Sequence, residues 1–443
     1  MKNKFAVALL CLAFFGCTSD EPNAPEVQPP VYISEAEEMN QWIFSQMKHR
    51  YFWNEDIPDS AECDFKLTPT QFYKSILSSK DRFSYITESS RSSDINLGFE
   101  FQKYMTDDSN IIYEVLYTTS HSAKQSGIKR GDFVRLNTVG NQYISIDLLE
   151  NPTKDSIYKT IEYMVEPRST SSAKTVLLDT IYSFEDKRIG YLCYLEFGDA
   201  ADFHDAFEKF HRNKITDLIL DLRYNPGGYV NTCRKLCSLI APEHAYTQLF
   251  QQNSFNKIIA EENLLSYGNE RTFTYFEKPY LSSEPTFGLK YDFLAMPRVY
   301  ILTSKHTASA SEATICCLKP YMDVTVIGET TVGKGVGMQT ISSNKYRYSL
   351  VPITFRYYNS IGETVDDSGI IPDYIIEDSY TTPKYQIGDI SERLLNKALS
   401  LIIPNQINES SSRIRVQSPI IFHPIGEPSY ITEFNNKHYN END

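Results

Sequence analysis

R298-V-Y-I-L-T-S-K-H-T-A-S-A-S-E312, continuing as A-T-I-C-C-L-K-P-Y-M-D-V-T-V-I-G-E-T-T-V-G-K-G335, is the stretch whose reading decides the fold. Residues 298–303 form a short apolar run of strand length, and 324–328 form another. Between them, small residues followed by an apolar run predict a helix from the TASASE segment through Leu318. Strand, helix, strand is the repeating unit of an α/β sheet. The same alternation extends upstream. Residues 189–195 read as a strand, 199–210 as an amphipathic helix and 218–222 as a buried strand. The turn N225-P-G-G228 then leads into a helix through Leu239. Downstream, strands are expected at 349–356 and 374–376. Residues 187–401 are therefore one α/β domain, in which 241–297 are loop-rich and aromatic without evident chemistry.

Two side chains in the opening stretch carry chemistry. Ser309 follows a buried strand and opens a helix, which places it at the carboxyl end of a sheet, where α/β proteins bind ligands. Ala308 and Ala310 leave room for a substrate, whereas Ser311 falls on the first helical turn, a capping or packing position. His306 leaves the same strand end, which disfavours it as a base for Ser309. Lys334 follows 25 residues after Ser309. G328-E-T-T-V-G-K334 satisfies seven positions of a phosphate-binding loop, but Gly335 stands where a Ser or Thr must hold magnesium, and Gly335 and Gly337 spoil the helix that should follow. Nucleotide binding is therefore not expected. A lysine buried beside a serine loses charge, and a neutral lysine can take the serine proton. In N225-P-G-G228, two glycines after a strand suit either a tight turn or backbone N–H groups aimed at an oxyanion.

The 443 residues are 41% hydrophobic and 23% charged, enough for several domains with a real core. A net charge of −14 repels nucleic-acid phosphates. Residues 1–17 carry Lys2 and Lys4, an apolar stretch and Gly16-Cys17, and resemble a bacterial lipoprotein signal in which Cys17 is acylated; an ordinary cleaved secretory peptide is the alternative. The following T18-S-D-E-P22 is similar to the acidic surface-export signal of Bacteroidetes lipoproteins. These features imply a cell-envelope protein with a lipid anchor in the outer membrane, periplasmic or surface-exposed. Residues 18–33 read as a flexible tether. Residues 34–92 read as a small helical domain, with Ser34 and Glu37 as a capping box and a second helix over 68–78. The six cysteines beyond the signal lack zinc-ligand spacing and read as core residues, and no metal is expected.

Residues 93–186 read as strands with one or two short helices, and resemble a PDZ domain. Leu97, Gly98 and Phe99 stand where that family captures a peptide's terminal carboxylate while the peptide adds as a strand to the sheet edge. A small β-domain without a ligand is the alternative. Residues 402–443 form a polar, weakly patterned tail.

D221-L-R-Y-N-P-G-G228, T307-A-S-A-S-E312 and G328-E-T-T-V-G-K-G335, in this order after the PDZ-like segment, resemble the C-terminal processing peptidases, or tail-specific proteases. The likeness covers about 95–380 and includes G369-I-I-P-D373. It implies a multi-domain α/β protein with a crotonase-like, ClpP-like ββα spiral core. It also implies a serine endopeptidase acting on polypeptides without a cofactor, with Ser309 as nucleophile, Lys334 as base, and the amides of Ala310 and Gly228 as oxyanion donors. Many members orient the lysine with a glutamine four positions later; here Met338 holds that place and Gln339 is the nearest candidate. The core also occurs in non-catalytic proteins that bind apolar ligands, and a binder of peptides or apolar ligands is the rival expectation.

Overall fold

A computed structural model describes residues 34–88, 96–140, 142–151, 156–164, 175–198, 203–279, 293–378, 384–404 and 423–431. The signal segment with Cys17 and the tether at 18–33 lie outside the described residues. Among the described residues, no helix is long and apolar enough to cross a membrane.

In chain order the elements begin with α1 (Glu35–Arg50), α2 (Pro69–Ser75) and β1 (Tyr85–Glu88). A second group comprises β2 (Phe99–Met105), β3 (Ile111–Thr118), α3 (His121–Gln125), β4 (Phe133–Val139), β5 (Tyr143–Asn151) and β6 (Ser156–Met164). Next come β7 (Val176–Phe184), β8 (Lys187–Tyr194), α4 (His204–Arg212), β9 (Asp217–Asp221), α5 (Val230–Ile240), β10 (Leu249–Phe255), α6 (Lys257–Tyr267) and β11 (Phe273–Tyr275). They are followed by β12 (Arg298–Thr303), α7 (Ala310–Leu318), β13 (Asp323–Gly328), β14 (Val336–Met338), β15 (Ile341–Ser342), β16 (Tyr348–Val351) and β17 (Ile353–Tyr358). The last are β18 (Tyr374–Ile375), α8 (Arg393–Ile402) and β19 (His423–Pro424).

The central sheet runs β18-β13-β12-β9-β8-β7, parallel except for β7. Its strands are apolar because helices cover both faces. One face buries Phe207, Phe210, Leu236, Ile315 and Leu318 of α4, α5 and α7. The other buries Leu394, Leu395, Ala398, Leu399 and Ile402 of α8. All six cysteines beyond the signal are free thiols, and all but Cys63 are buried. A second, antiparallel sheet, β11-β10-β17-β14, stands beside the first. Three adjacent parallel strands, β13, β12 and β9, send their carboxyl ends to the same edge. The turn at Asn225, the loop to Ser309 and the loop to Lys334 all leave from that edge.

Ser34 and Glu37 form the expected capping box on α1, and Thr68 and Gln71 form another on α2. Such caps are worth about 0.5–2 kcal/mol. The helical unit does not stand apart. Met39, Ile43, Met47, Phe72 and Ile76 share one core with Val336, Ile341, Leu350 and Ile353, and β1 pairs with β16. The sheet whose strand β14 follows the Lys334 loop is thereby packed against the N-terminal helices.

The expected second unit forms a sheet in the order β19-β2-β3-β4-β5-β6. Its described part holds one helix, α3, within the one or two expected, and residues 156–164 form a strand in which Ile161 and Tyr163 alternate inward. It differs from the sequence reading in that part of the polar tail joins it. β19 pairs antiparallel with β2, and Tyr430 packs against Tyr117 and Tyr224. The loop-rich reading of 241–297 also gives way to structure, since β10, α6 and β11 lie within it. Arg130 ties this unit to the core, donating to Tyr224 Oη at 3.0 Å and Asp378 Oδ2 at 2.5 Å.

Candidate active site

The turn after β9 is anchored from below. Arg223 is wholly buried, with its guanidinium on Glu392 at 2.7 and 2.8 Å and on Asp221 at 3.0 Å. Breaking such a buried set from one side costs about 3–5 kcal/mol. Asn225 Oδ1 accepts the Gly227 N–H at 2.9 Å, so that amide is committed within the turn. Gly228 supplies the next donor. Both glycines hold φ above +100°, a region closed to other residues, and a Cβ on Gly227 would lie 2.8 Å from Ser309 Cβ and 3.2 Å from Ala310 N. The turn and the serine are thus in close contact.

Ser309 sits at the N-cap of α7 with φ 56° and ψ −114°. A non-glycine residue in this region stores about 1–3 kcal/mol of strain, which persists only where neighbours over-determine it. Those neighbours are visible. Thr307 Oγ1 donates to Leu222 O at 2.9 Å, Ser311 Oγ donates to Asn225 O at 3.0 Å, and Val332 N donates to Thr307 O at 3.0 Å. Ser311 is fully buried and spent on this contact. Ala310, at the first helical position, keeps an amide that the helix itself leaves unpaired.

Glu312 is a site residue that the sequence reading did not single out, although S309-A-S-E312 has the S-x-x-E form of a capping box. It is completely buried, and four donors converge on its carboxylate. Thr331 Oγ1 and the Gly333 N–H reach Oε1 at 2.5 and 2.7 Å. The Lys334 and Ser309 N–H groups reach Oε2 at 2.8 and 2.9 Å. The serine loop and the lysine loop are therefore joined through one carboxylate.

Burial lowers the Lys334 ammonium from its ordinary value to about 8, although the carboxylates of Glu312 and Asp81 pull it back up. Phe83 lies over its Nζ, 5.5 Å from the ring centre. Residues 336–338 after it are a strand, so no phosphate-facing helix follows the glycine loop. The chain bulges at Gly337/Met338. Met338 packs into the N-terminal core, and Gln339 lines a cavity of about 240 Å³ with Arg50, Asn263 and Arg271. His306 is directed elsewhere. Its Nδ1 lies 3.3 Å from Glu427, and burial first, then Lys305, pushes its pKa down to about 4. It does not share the lysine's site.

At the other candidate site, Gly98 holds φ 77° and its N–H is taken by Asn96 at 2.9 Å, while Tyr163 Oη donates to Leu97 O at 2.7 Å. The edge of β2 beyond Phe99 is paired by the tail. Ile425 N donates to Lys103 O at 2.9 Å, and Phe101 N donates to Ser429 Oγ at 2.7 Å. Among the described residues, no cluster of three His, Cys, Asp or Glu could hold a metal ion.

A strained serine at a helix start, a glycine turn against it and a lysine of lowered pKa whose loop is joined to the same carboxylate are groups of the kind that nucleophilic acyl transfer requires. Comparisons with known proteins give the family. The family model for peptidase family S41 matches residues 188–376, and the model for the peptidase S41 N-terminal domain matches 38–85. The chain belongs to peptidase family S41. It is similar to the carboxy-terminal processing protease CtpB of Bacillus subtilis, 26% identical over 208 residues, which is 45% of this chain and 37% of that one. It is also similar to a carboxy-terminal-processing protease of Bartonella bacilliformis, 24% identical over 361 residues, covering 76% of this chain and 74% of the relative. In fold it is similar to a Bacteroides fragilis protein described as an S41 protease. The TM-score is 0.65 at 24% identity, covering 84% of this chain and 98% of that one.

Proposed function

We propose that the protein is a serine endopeptidase in which Ser309 is the nucleophile and Lys334 the general base. The observation that carries this reading is the shared carboxylate: Glu312 holds the amides of Ser309 and Lys334 on one oxygen while the lysine pKa falls to about 8. Near neutral pH a useful fraction of Lys334 is then uncharged. Ser309 Oγ attacks the scissile carbonyl as its proton passes to Lys334 Nζ, and the carbonyl oxygen becomes an oxyanion facing the Gly228 and Ala310 amides. Each such donor is worth about 3 kcal/mol in the transition state. The lysine returns the proton to the leaving amine, the acyl-serine remains, and water releases it by the reverse sequence. A non-catalytic binder needs neither a strained serine nor a lysine held short of full charge.

Three further elements belong to the same reading. The β2 unit recognises a polypeptide C-terminus near Leu97, Gly98 and Phe99 as a PDZ-like domain, and binding along β2 exchanges the chain's own segment 423–431 for substrate. Cys17 carries a lipid anchor, and the body resides in the cell envelope at the outer membrane. The test is cleavage of an unfolded polypeptide by the parent beside Ser309→Ala and Lys334→Ala. Cleavage by the parent alone is expected; equal cleavage by all three, or none by any across a wide pH range, contradicts the dyad.

A further inference from the structure

We infer that Asp81, Arg82 and Phe83, at the end of the N-terminal helical unit, are positioning residues for Lys334, and that this short segment rather than any residue following the lysine holds the base in place. The inference rests on the reading of Lys334 as the base. Asp81 is itself rigidly held. Its Oδ1 accepts the N–H groups of Phe83 and Ser84 at 2.9 and 2.8 Å, and its Oδ2 accepts Tyr51 Oη at 2.7 Å. Tyr51 is fully buried and its pKa is raised, first by burial and then by Asp81, so it remains a donor. Arg82 grips the lysine loop, donating to Val332 O at 3.4 Å and to Asp367 O at 2.6 Å. Phe83 covers the ammonium from the third side at 5.5 Å.

Of the residues after the lysine, Met338 packs with Phe83 in the N-terminal apolar core and offers no polar group, and Gln339 lines the cavity beside Arg50. The charged groups packed around this loop are Glu312 from α7, Asp81 and Arg82 from the N-terminal segment, Asp366 and Asp367 from the loop after β17, and Arg356 from β17. Of these, Glu312 and Asp81 act on the Lys334 charge, and both favour the ammonium. Glu312 is already saturated by four donors. Glu312 exerts the larger pull on the lysine but also holds both loops, so Asp81 is the carboxylate whose charge can be removed without undoing them, and Phe83 packs over the ammonium.

The two side chains should therefore shift the lysine in opposite directions. Removing the Asp81 charge removes a group that favours the ammonium, so the Lys334 pKa falls. Removing the Phe83 ring admits water, so it rises. The experiment measures, from pH 6 to 10, the rate at which a fluorophosphonate modifies Ser309, with adducts assigned by peptide mass spectrometry. The parent, Asp81→Asn, Asp81→Glu, Phe83→Ala and Phe83→Leu are compared, each first checked for cooperative unfolding. The parent rate should rise with a midpoint near 8. Asp81→Asn should move the midpoint to lower pH and cut the plateau rate by roughly fivefold or more through lost positioning. Asp81→Glu should keep the parent midpoint. Phe83→Ala should move it to higher pH, with Phe83→Leu in between and available if the alanine variant fails to fold. Variants that lose thermal stability with midpoints unmoved would assign Asp81 and Phe83 to packing alone and overturn the inference. A parent not modified at Ser309 overturns the dyad itself, a separate and recognisable failure.

Discussion

The backbone N–H groups of Ser309 and Lys334 donate to the same oxygen of Glu312, at 2.9 and 2.8 Å. Two loops that leave different strands are thus referenced to one atom, and the relative position of nucleophile and base depends on it. Glu312→Gln keeps the shape but offers only one acceptor oxygen to four donors. We expect a loss of about 3 kcal/mol in stability, from buried donors left unpaired, and roughly 100-fold in kcat from misplaced loops. Urea titration and steady-state kinetics on the same preparation check both.

Lys334 should cost the protein stability. Its folded pKa, about 8, lies below the ordinary 10.5, so between those values the unfolded chain binds more protons and stability rises with pH. Lys334→Met removes the penalty. The variant should be inactive yet more stable than the parent at pH 7, and the advantage should shrink as pH climbs from about 8 towards 10.5, as followed by thermal melts. A variant less stable than the parent at pH 7 contradicts the assignment of a desolvated lysine.

The glycine turn makes a steric prediction. A Cβ on Gly228 would stand 2.5 Å from Phe197 O at φ 135°, and the turn would rotate its amide away. We expect Gly228→Ala to lower kcat by about 10²–10³-fold, the range for one oxyanion donor, with a smaller change in KM. Gly227→Ala, which presses on Ser309 Cβ, should abolish Ser309 modification as well as turnover.

Removal of residues 405–443 should open the β2 edge. The Phe101 amide and the Lys103 carbonyl lose their partners on Ser429 and Ile425, and a peptide can replace both. Peptides with a free C-terminal carboxylate should bind more tightly to the truncated protein by fluorescence anisotropy, and the amidated peptides should not. Equal affinity for both proteins would separate the tail from recognition.

Much of this site is written locally in the chain, and the rest is not. The strand at 298–303, the cap at Ser34 and Glu37, and the separation of Ser309 from Ser311 follow from short-range pattern, and the structure has all three. Glu312 was legible as a capping-box acid, but its second partner, Lys334, lies on another strand's loop. Asp81 reaches Lys334 across some 250 positions, and only the shared core of Met47, Phe72 and Val336 brings that segment there. The strand at 156–164 shows its period of two only in Ile161 and Tyr163, an alternation too short to single it out in the sequence. The tail's pairing with β2 rests on backbone hydrogen bonds, and composition carries no trace of it.

The most direct measurement is the site of covalent modification at pH 9. Intact-mass and peptide mass spectrometry of the parent treated with a fluorophosphonate should show one adduct, on Ser309, and Lys334→Ala should show at least about 100-fold slower labelling, the low end for loss of a general base. An adduct on another residue, or labelling undiminished without Lys334, would contradict the account.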